Sequence, residues 1–243
     1  MVQKLIVLML AVCISSTAQA AVTAKDLVRK VDAYRGFPNS PFMMNLGVFS
    51  RTPGKKDRKY KLMVRVRDEK SIVQFLAPAR DKGRTILKEG NNMWLHVPRT
   101  RKIIRISATQ RLLGEASNGD VASVNMSQDY TPEIIGEEDI EGIPSYRLLL
   151  KAVHRKVTYH KIDLWVSKKD GKPVMSKHYA VSGKLLKSAY YKEFQKTKYG
   201  EKLSKLLLVD PLKKGKFTWM IYSQYQKTQF PNTLFRKENL SRL

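Results

Sequence analysis

Four histidines, at positions 96, 154, 160 and 178, are the side chains best suited to hold a metal or move a proton, yet none stands at a motif spacing. His154 and His160 are six residues apart with no carboxylate or cysteine at ligand spacing around them, so no metal site is expected. Strand histidines among basic neighbours are expected at the surface. Paired carboxylates occur at Glu137-Glu138-Asp139 and Glu141, just before Gly142 and Pro144. That placement reads as a charged turn whose ends face water rather than as an acid/base pair. No Gly-x-Ser-x-Gly elbow is present, and Ser182-Gly183 reads as a hairpin turn. Glycine-rich phosphate cradles are missing as well. With no nucleophile, base or cradle to name, the chain is expected to be no enzyme and to carry no cofactor.

The one cysteine, Cys13, stands in a segment built for export. Lys4 gives a positive start, residues 5–14 form an apolar run, and Ala18-Gln19-Ala20 supplies the small-x-small pattern cut by signal peptidase. The run is shorter than the roughly 20 helical residues that span a bilayer. The expected division is therefore a signal peptide over residues 1–20 and a single domain over 21–243, located in the periplasm. Leu10-Ala11-Val12-Cys13 is a rough lipobox, which offers lipid anchoring through Cys13 as the rival processing. Cleavage after Ala20 leaves a domain with no thiol for disulfides or thiolate sites. It also leaves nearly all of the +25 formal charge. Export directs that charge away from nucleic acid and toward an anionic membrane surface, lipopolysaccharide or an acidic membrane protein.

The elements that must position any site are mainly strands. A helix is expected over residues 23–34, with Thr23 and Asp26 at capping-box spacing and Leu27, Val28 and Val31 on one face. Beyond Gly36 and Pro38 the period becomes two. Phe42, Met44, Leu46 and Val48 alternate, as do Tyr60, Leu62, Val64 and Val66, between which stand Lys61, Arg65 and Arg67. Residues 72–77 continue the pattern, and 93–97 pair with 103–106 across Pro98-Arg99-Thr100-Arg101. Residues 108–130 break the alternation with a polar, turn-rich stretch. Strands return at 145–153, 158–167, 173–181, 184–195 and 217–227, and a short helix is expected from Thr233. About ten antiparallel strands with few helices make a mainly β fold, a large curved sheet or open barrel.

Such a framework offers apolar surface, and an acyl chain gains about 0.8 kcal/mol for each CH₂ it buries, or on the order of 11 kcal/mol for fourteen carbons. All 8 Phe, 3 Trp and 11 Tyr lie beyond residue 20. Leu62, Val64, Val66, Phe75, Leu95, Trp219 and Ile221 are the candidate walls of a cavity, and Gly114, Asn118, Gly119 and Asp120 the candidate lid or mouth. A one-residue change of register would exchange inner for outer faces.

Residues 92–106, Asn-Met-Trp-Leu-His-Val-Pro-Arg-Thr-Arg-Lys-Ile-Ile-Arg-Ile, with Gln110-Arg111-Leu112-Leu113-Gly114 and Asn118-Gly119-Asp120, resemble the outer-membrane lipoprotein-sorting protein family, the LolA-like group. Ile162-Asp163-Leu164-Trp165-Val166 before Gly171-Lys172-Pro173, and Phe230-Pro231-Asn232-Thr233-Leu234-Phe235, extend the likeness. The resemblance implies a half-closed antiparallel β-barrel with helices over its open side and an apolar cavity for acyl chains. It implies a periplasmic carrier that moves lipoproteins or lipids toward the outer membrane, working with an inner-membrane exporter or lipoprotein-release complex. The alternative that the resemblance also allows is a sensor or adaptor of RseB type, which binds an inner-membrane protein such as an RND/MMPL-type exporter or a stress regulator.

Overall fold

The computed structural model describes residues 22–123 and 125–242, so Cys13, Ala18 and Ala20 lie outside the described residues. The first element, α1 (Ala24–Arg35), begins where expected. Thr23 Oγ1 accepts the Asp26 amide and donates to Asp26 Oδ2 at 2.6 Å. Its last carbonyls are capped from across the molecule, because Lys202 Nζ donates to Ala33 O at 2.6 Å and Gly36 O at 2.7 Å. A cation at the negative end of the helix stabilises it.

Six strands follow: β1 (Phe42–Arg51), β2 (Arg58–Arg67), β3 (Lys70–Ala77), β4 (Thr85–Glu89), β5 (Asn92–Val97) and β6 (Lys102–Ile106). A small hairpin, β7 (Arg111–Leu113) and β8 (Ala116–Ser117), leads into the short helices α2 (Asn118–Ala122) and α3 (Met126–Asp129). The chain then returns through β9 (Tyr130–Ile140), β10 (Ile143–Ala152), β11 (Lys161–Ser167), β12 (Pro173–Tyr179), β13 (Leu185–Thr197), β14 (Gly200–Val209) and β15 (Phe217–Lys227). Thirteen of the strands form one antiparallel sheet in the order 6-5-4-3-2-1-15-14-13-12-11-10-9. Pairing of β1 with β15 joins the two halves, while β6 and β9 remain separate edges. The sheet is curved but not closed, a half-open barrel.

Period-two patterning decides the inner face. Phe42, Met44, Leu46 and Val48 of β1 and Tyr60, Leu62, Val64 and Val66 of β2 are buried in one core with Leu27, Val28 and Val31 of α1. The basic side chains between them face outward. A second, smaller core lies on the outer face, where Phe235 and Leu240 of the C-terminal segment cover Ile72 and Leu87. Arg67 lies 4.9 Å from the Phe235 ring centroid and donates to Phe230 O and Asn232 Oδ1.

Several expectations need correction. The C-terminal helix is instead two 3₁₀ segments, Asn232–Phe235 and Lys237–Arg242. Glu137, Glu138 and Asp139 belong to β9, where the Trp165 indole donates to Glu138 Oε2 at 2.7 Å. Trp219 and Ile221 face outward. Thr218, Met220 and Tyr222 are the residues that β15 turns inward, and a left-handed residue at Gln224 (φ 54°) brings Tyr225 back to the inner side. His96 and His178 are buried rather than superficial.

Candidate functional site

The stretch from 107 to 123, which contains the lid or mouth candidates Gly114, Asn118, Gly119 and Asp120, is a plug packed against the inner face of the sheet. Two glycines make that approach possible. A Cβ on Gly114 (φ 57°) would stand 2.0 Å from Ser50 Oγ and 2.3 Å from Thr218 Oγ1, and one on Gly119 would stand 1.9 Å from Thr158 Oγ1. Only a residue without a side chain fits there. Ser117 caps α2 in a reciprocal capping box with Asp120.

On one flank the plug is held by polar contacts. Asp120 Oδ2 accepts from the Ser117 amide at 2.7 Å and pairs with the Lys187 ammonium, while Asp120 Oδ1 accepts from the Tyr159 hydroxyl at 2.7 Å. Lys187 also donates to Glu115 O. The Glu115 amide donates to Thr218 Oγ1 at 2.8 Å, and its carboxylate pairs with Lys216 at 2.5 Å. Burial works against the Asp120 carboxylate, but the Lys187 charge and the hydrogen bonds from Lys187 and Ser117 overcome it and hold its pKa below the ordinary value. Burial drives the Tyr159 hydroxyl well upward, with Asp120 adding to the effect. His178 accepts or donates at Nε2 with Ser176 Oγ at 2.9 Å and lies edge-on to Tyr159. Burial pushes its pKa down to about 3, so it is neutral at ordinary pH. The free space beside this cluster, bordered by Arg35, Asp120, Tyr159 and His178, is only about 40 Å³, enough for a small number of waters. One turn away, Asp32 Oδ1 and Oδ2 accept the Met126 and Ser127 amides, each at 2.8 Å, which ties α1 to α3.

On the other flank the plug leaves a cleft. Tyr60, Phe75, Ile86, Leu95, Ile104 and Leu112 line about 170 Å³ between the sheet and the β7 hairpin. Arg84 and Arg111 stand at its mouth, with Gln110 and Asn118 as its polar wall. Arg84 pairs with the buried Asp81 carboxylate at 2.7 Å, and Arg111 lies 3.9 Å from Glu115. Ile104 is 46% exposed and marks the open side. A larger space of about 300 Å³ lies between the start of α1 and β9, but Lys25, Arg29, Ser127 and Thr131 make up half of its lining.

The sequence-predicted residues therefore divide. Phe75, Leu95 and Asn118 meet in the cleft, and Leu62, Val64 and Val66 lie on the same inner face, already packed in the core. Gly114, Gly119 and Asp120 hold the plug. Trp219 and Ile221 face away from all of this. Sequence reasoning missed Tyr60, Ile104, Leu112, Arg84 and Arg111 as neighbours. The Tyr60-Leu62-Val64 alternation and the Lys102–Ile106 strand carried part of that signal. Among the described residues no three His, Cys, Asp or Glu side chains are grouped as a metal site would need, and no helix is long and apolar enough to cross a membrane.

A family model described as "Uncharacterized protein" matches residues 67–242. No curated protein matches the chain. Among solved structures, a LolA superfamily protein from Nitrosomonas europaea is 33% identical, with a TM-score of 0.83 over 90% of this chain and 99% of that one. A protein of the DUF1329 family from Desulfovibrio piger superposes with a TM-score of 0.74 at 19% identity, covering 89% of this chain and 97% of that one. An outer membrane lipoprotein-sorting protein domain from Vibrio parahaemolyticus gives the same score at 17% identity, covering 90% and 98%. The last two likenesses speak to the fold alone.

Proposed function

This chain belongs to the LolA superfamily, and from that premise we propose that it is a periplasmic carrier that takes the acyl chain of a lipid or lipoprotein into the cleft beneath β2–β6 and moves it toward the outer membrane. The observation that carries this reading is the pairing of an apolar interior with a cationic mouth. Phe75, Ile86, Leu95, Ile104 and Leu112 offer the surface that a methylene chain seeks, while Arg84 and Arg111 stand where a carboxylate or phosphate headgroup would emerge.

A cleft of about 170 Å³ is below the ~300–1,000 Å³ of pockets that enclose a whole small-molecule ligand. In this reading the cleft takes the end of a chain, and further entry requires the plug to move. The plug is suited to that because its firm side is polar: the Asp120–Lys187 and Glu115–Lys216 pairs form one latch, whereas toward β2–β6 it meets the apolar lining of the cleft and one hydroxyl, Ser71 Oγ, which donates to Ala122 O at 2.7 Å. Native mass spectrometry of the gently purified protein should find copurified acyl lipid, and the emptied protein should take up a fluorescent fatty acid. A uniformly empty protein that also fails to take up the probe would end this reading.

A further inference from the structure

Successive turns of an antiparallel sheet fall at alternate ends, so the two ends can be compared for charge. At one end lie the turns 52–57, 78–84, 98–101, 153–160, 180–184 and 210–216, which together hold thirteen lysines and arginines, all but the buried Lys216 reaching solvent, against three aspartates. At the other end the turns 68–69, 90–91, 141–142, 168–172 and 198–199 hold four of each sign. The three aspartates of the basic end are already engaged: Asp57 with Arg51 at 2.7 Å, Asp81 with Arg84 at 2.7 Å, and Asp210 with Lys216 at 3.7 Å. Lys55, Lys56, Lys213 and Lys214 are all exposed.

Two of these turns form one projection. A Cβ on Gly215 would lie 3.1 Å from Pro53 Cγ, so 52–57 and 210–216 touch. Beside the lysines at this end stand two of the most exposed large aliphatic residues of the described chain, Leu212 at 75% and Val181 at 78%, each at a turn tip. A single exposed aliphatic is ordinary on a protein surface, but Leu212 and Val181 stand at turn tips among lysines, the arrangement that lets a tip enter an apolar layer behind an anionic one. The cations follow the whole rim instead of gathering into one concave patch, which suits a laterally continuous anionic plane better than a single protein partner. Arg84, which lines the cleft, belongs to this rim, so the cleft reaches the same end.

We propose that this basic end is a docking surface for an anionic phospholipid bilayer, with Leu212 and Val181 entering the headgroup layer and the lysines lying over the phosphates. The cleft mouth then faces the membrane. The inference adds a surface to the carrier reading and does not depend on it.

Vesicle sedimentation tests it. The protein should sediment with phosphatidylcholine vesicles that contain phosphatidylglycerol and stay in solution with phosphatidylcholine alone. The binding should weaken as salt shortens the screening length below about 8 Å. Each basic side chain near an anionic surface is worth about fivefold in affinity (~1 kcal/mol). The double variant K213E/K214E should therefore bind on the order of 25-fold more weakly or worse. L212S/V181S should also weaken binding while keeping its salt dependence, and K168E/K169E at the opposite end should leave it unchanged. All six positions are exposed, and an unchanged melting temperature verifies each fold. Equal binding to both vesicle types, or equal loss from the opposite-end variant, overturns the proposal. Absence of any sedimentation also overturns it and returns the basic end to an acidic protein partner. A protein that binds vesicles but no fatty acid would uphold this surface while removing the carrier reading.

Discussion

The plug at 107–123 meets two unlike surfaces of the same sheet. Toward β11–β13 and the β14–β15 turn it meets ions and hydroxyls: Lys187, Tyr159, His178 and Lys216 fill that side and leave about 40 Å³. Toward β2–β6 it meets Tyr60, Phe75, Leu95 and Ile104 and leaves about 170 Å³. Both flanks lie under continuous antiparallel pairing, so the difference is one of side chains, not of backbone. A satisfied ion pair in a dry interior has specific geometry and fixes the plug, whereas an apolar cleft accepts any surface that avoids water. One flank thus positions the plug and the other leaves room for a guest.

The largest expected effect comes from breaking the polar flank. Lys187→Met leaves the Asp120 carboxylate buried without its cation and should lower unfolding free energy by about 3–5 kcal/mol in urea titration. Adding Asp120→Asn should recover much of the loss; no recovery would mean that the pair is not the latch. Gly114→Val tests the close approach on which both flanks depend. Its side chain would strike Ser50 and Thr218 at a left-handed backbone position, at a cost of about 3 kcal/mol, and a stable variant would contradict the buried plug.

Acid sharpens the comparison with a smaller effect. His178 has a folded pKa of about 3 against an unfolded value of 6.5. The unfolded chain therefore takes up a proton first as pH falls, and no stability is lost above 6.5. Between 6.5 and 3 the loss grows, reaching about 2 kcal/mol at pH 5. His178→Phe should flatten that part of the stability profile, and an unchanged slope would show that another group is responsible. On the apolar flank, Ile104→Asp should change stability by less than about 1 kcal/mol, because the position is nearly half exposed.

Much of the framework was legible in the sequence, because period-two runs such as Phe42-Met44-Leu46-Val48 and the Thr23 cap state their structure locally. Strands β4, β9 and β14 were not. β9 is an edge strand with charged residues on both faces, and β14 mixes lysines with leucines beside the bulges of β13. The inward face of β15 was ambiguous for another reason: Phe217, Trp219 and Ile221 are as apolar as Met220 and Tyr222, so alternation alone cannot choose between them. Polar composition suggested a lid or mouth at 114–120, whereas partners distant in sequence, such as Lys187, Lys216 and Thr218, bury it. Pairings of that range leave no local signal. Of the cleft, Phe75, Leu95 and Asn118 could be named in advance, but the arginines at its mouth could not.

Binding of a fluorescent fatty acid to two matched variants tests the central claim most directly. Ile104 on the inner face and Ile221 on the outer face are 46% and 42% exposed, so the same Ile→Asp change costs each a similar amount of packing. An acyl site in the cleft predicts that I104D weakens binding about tenfold, the ~1.4 kcal/mol expected from placing a charge against the chain, while I221D binds as the unchanged protein does. Equal affinity of I104D and the unchanged protein, or a greater loss in I221D, would contradict an acyl site beneath β2–β6.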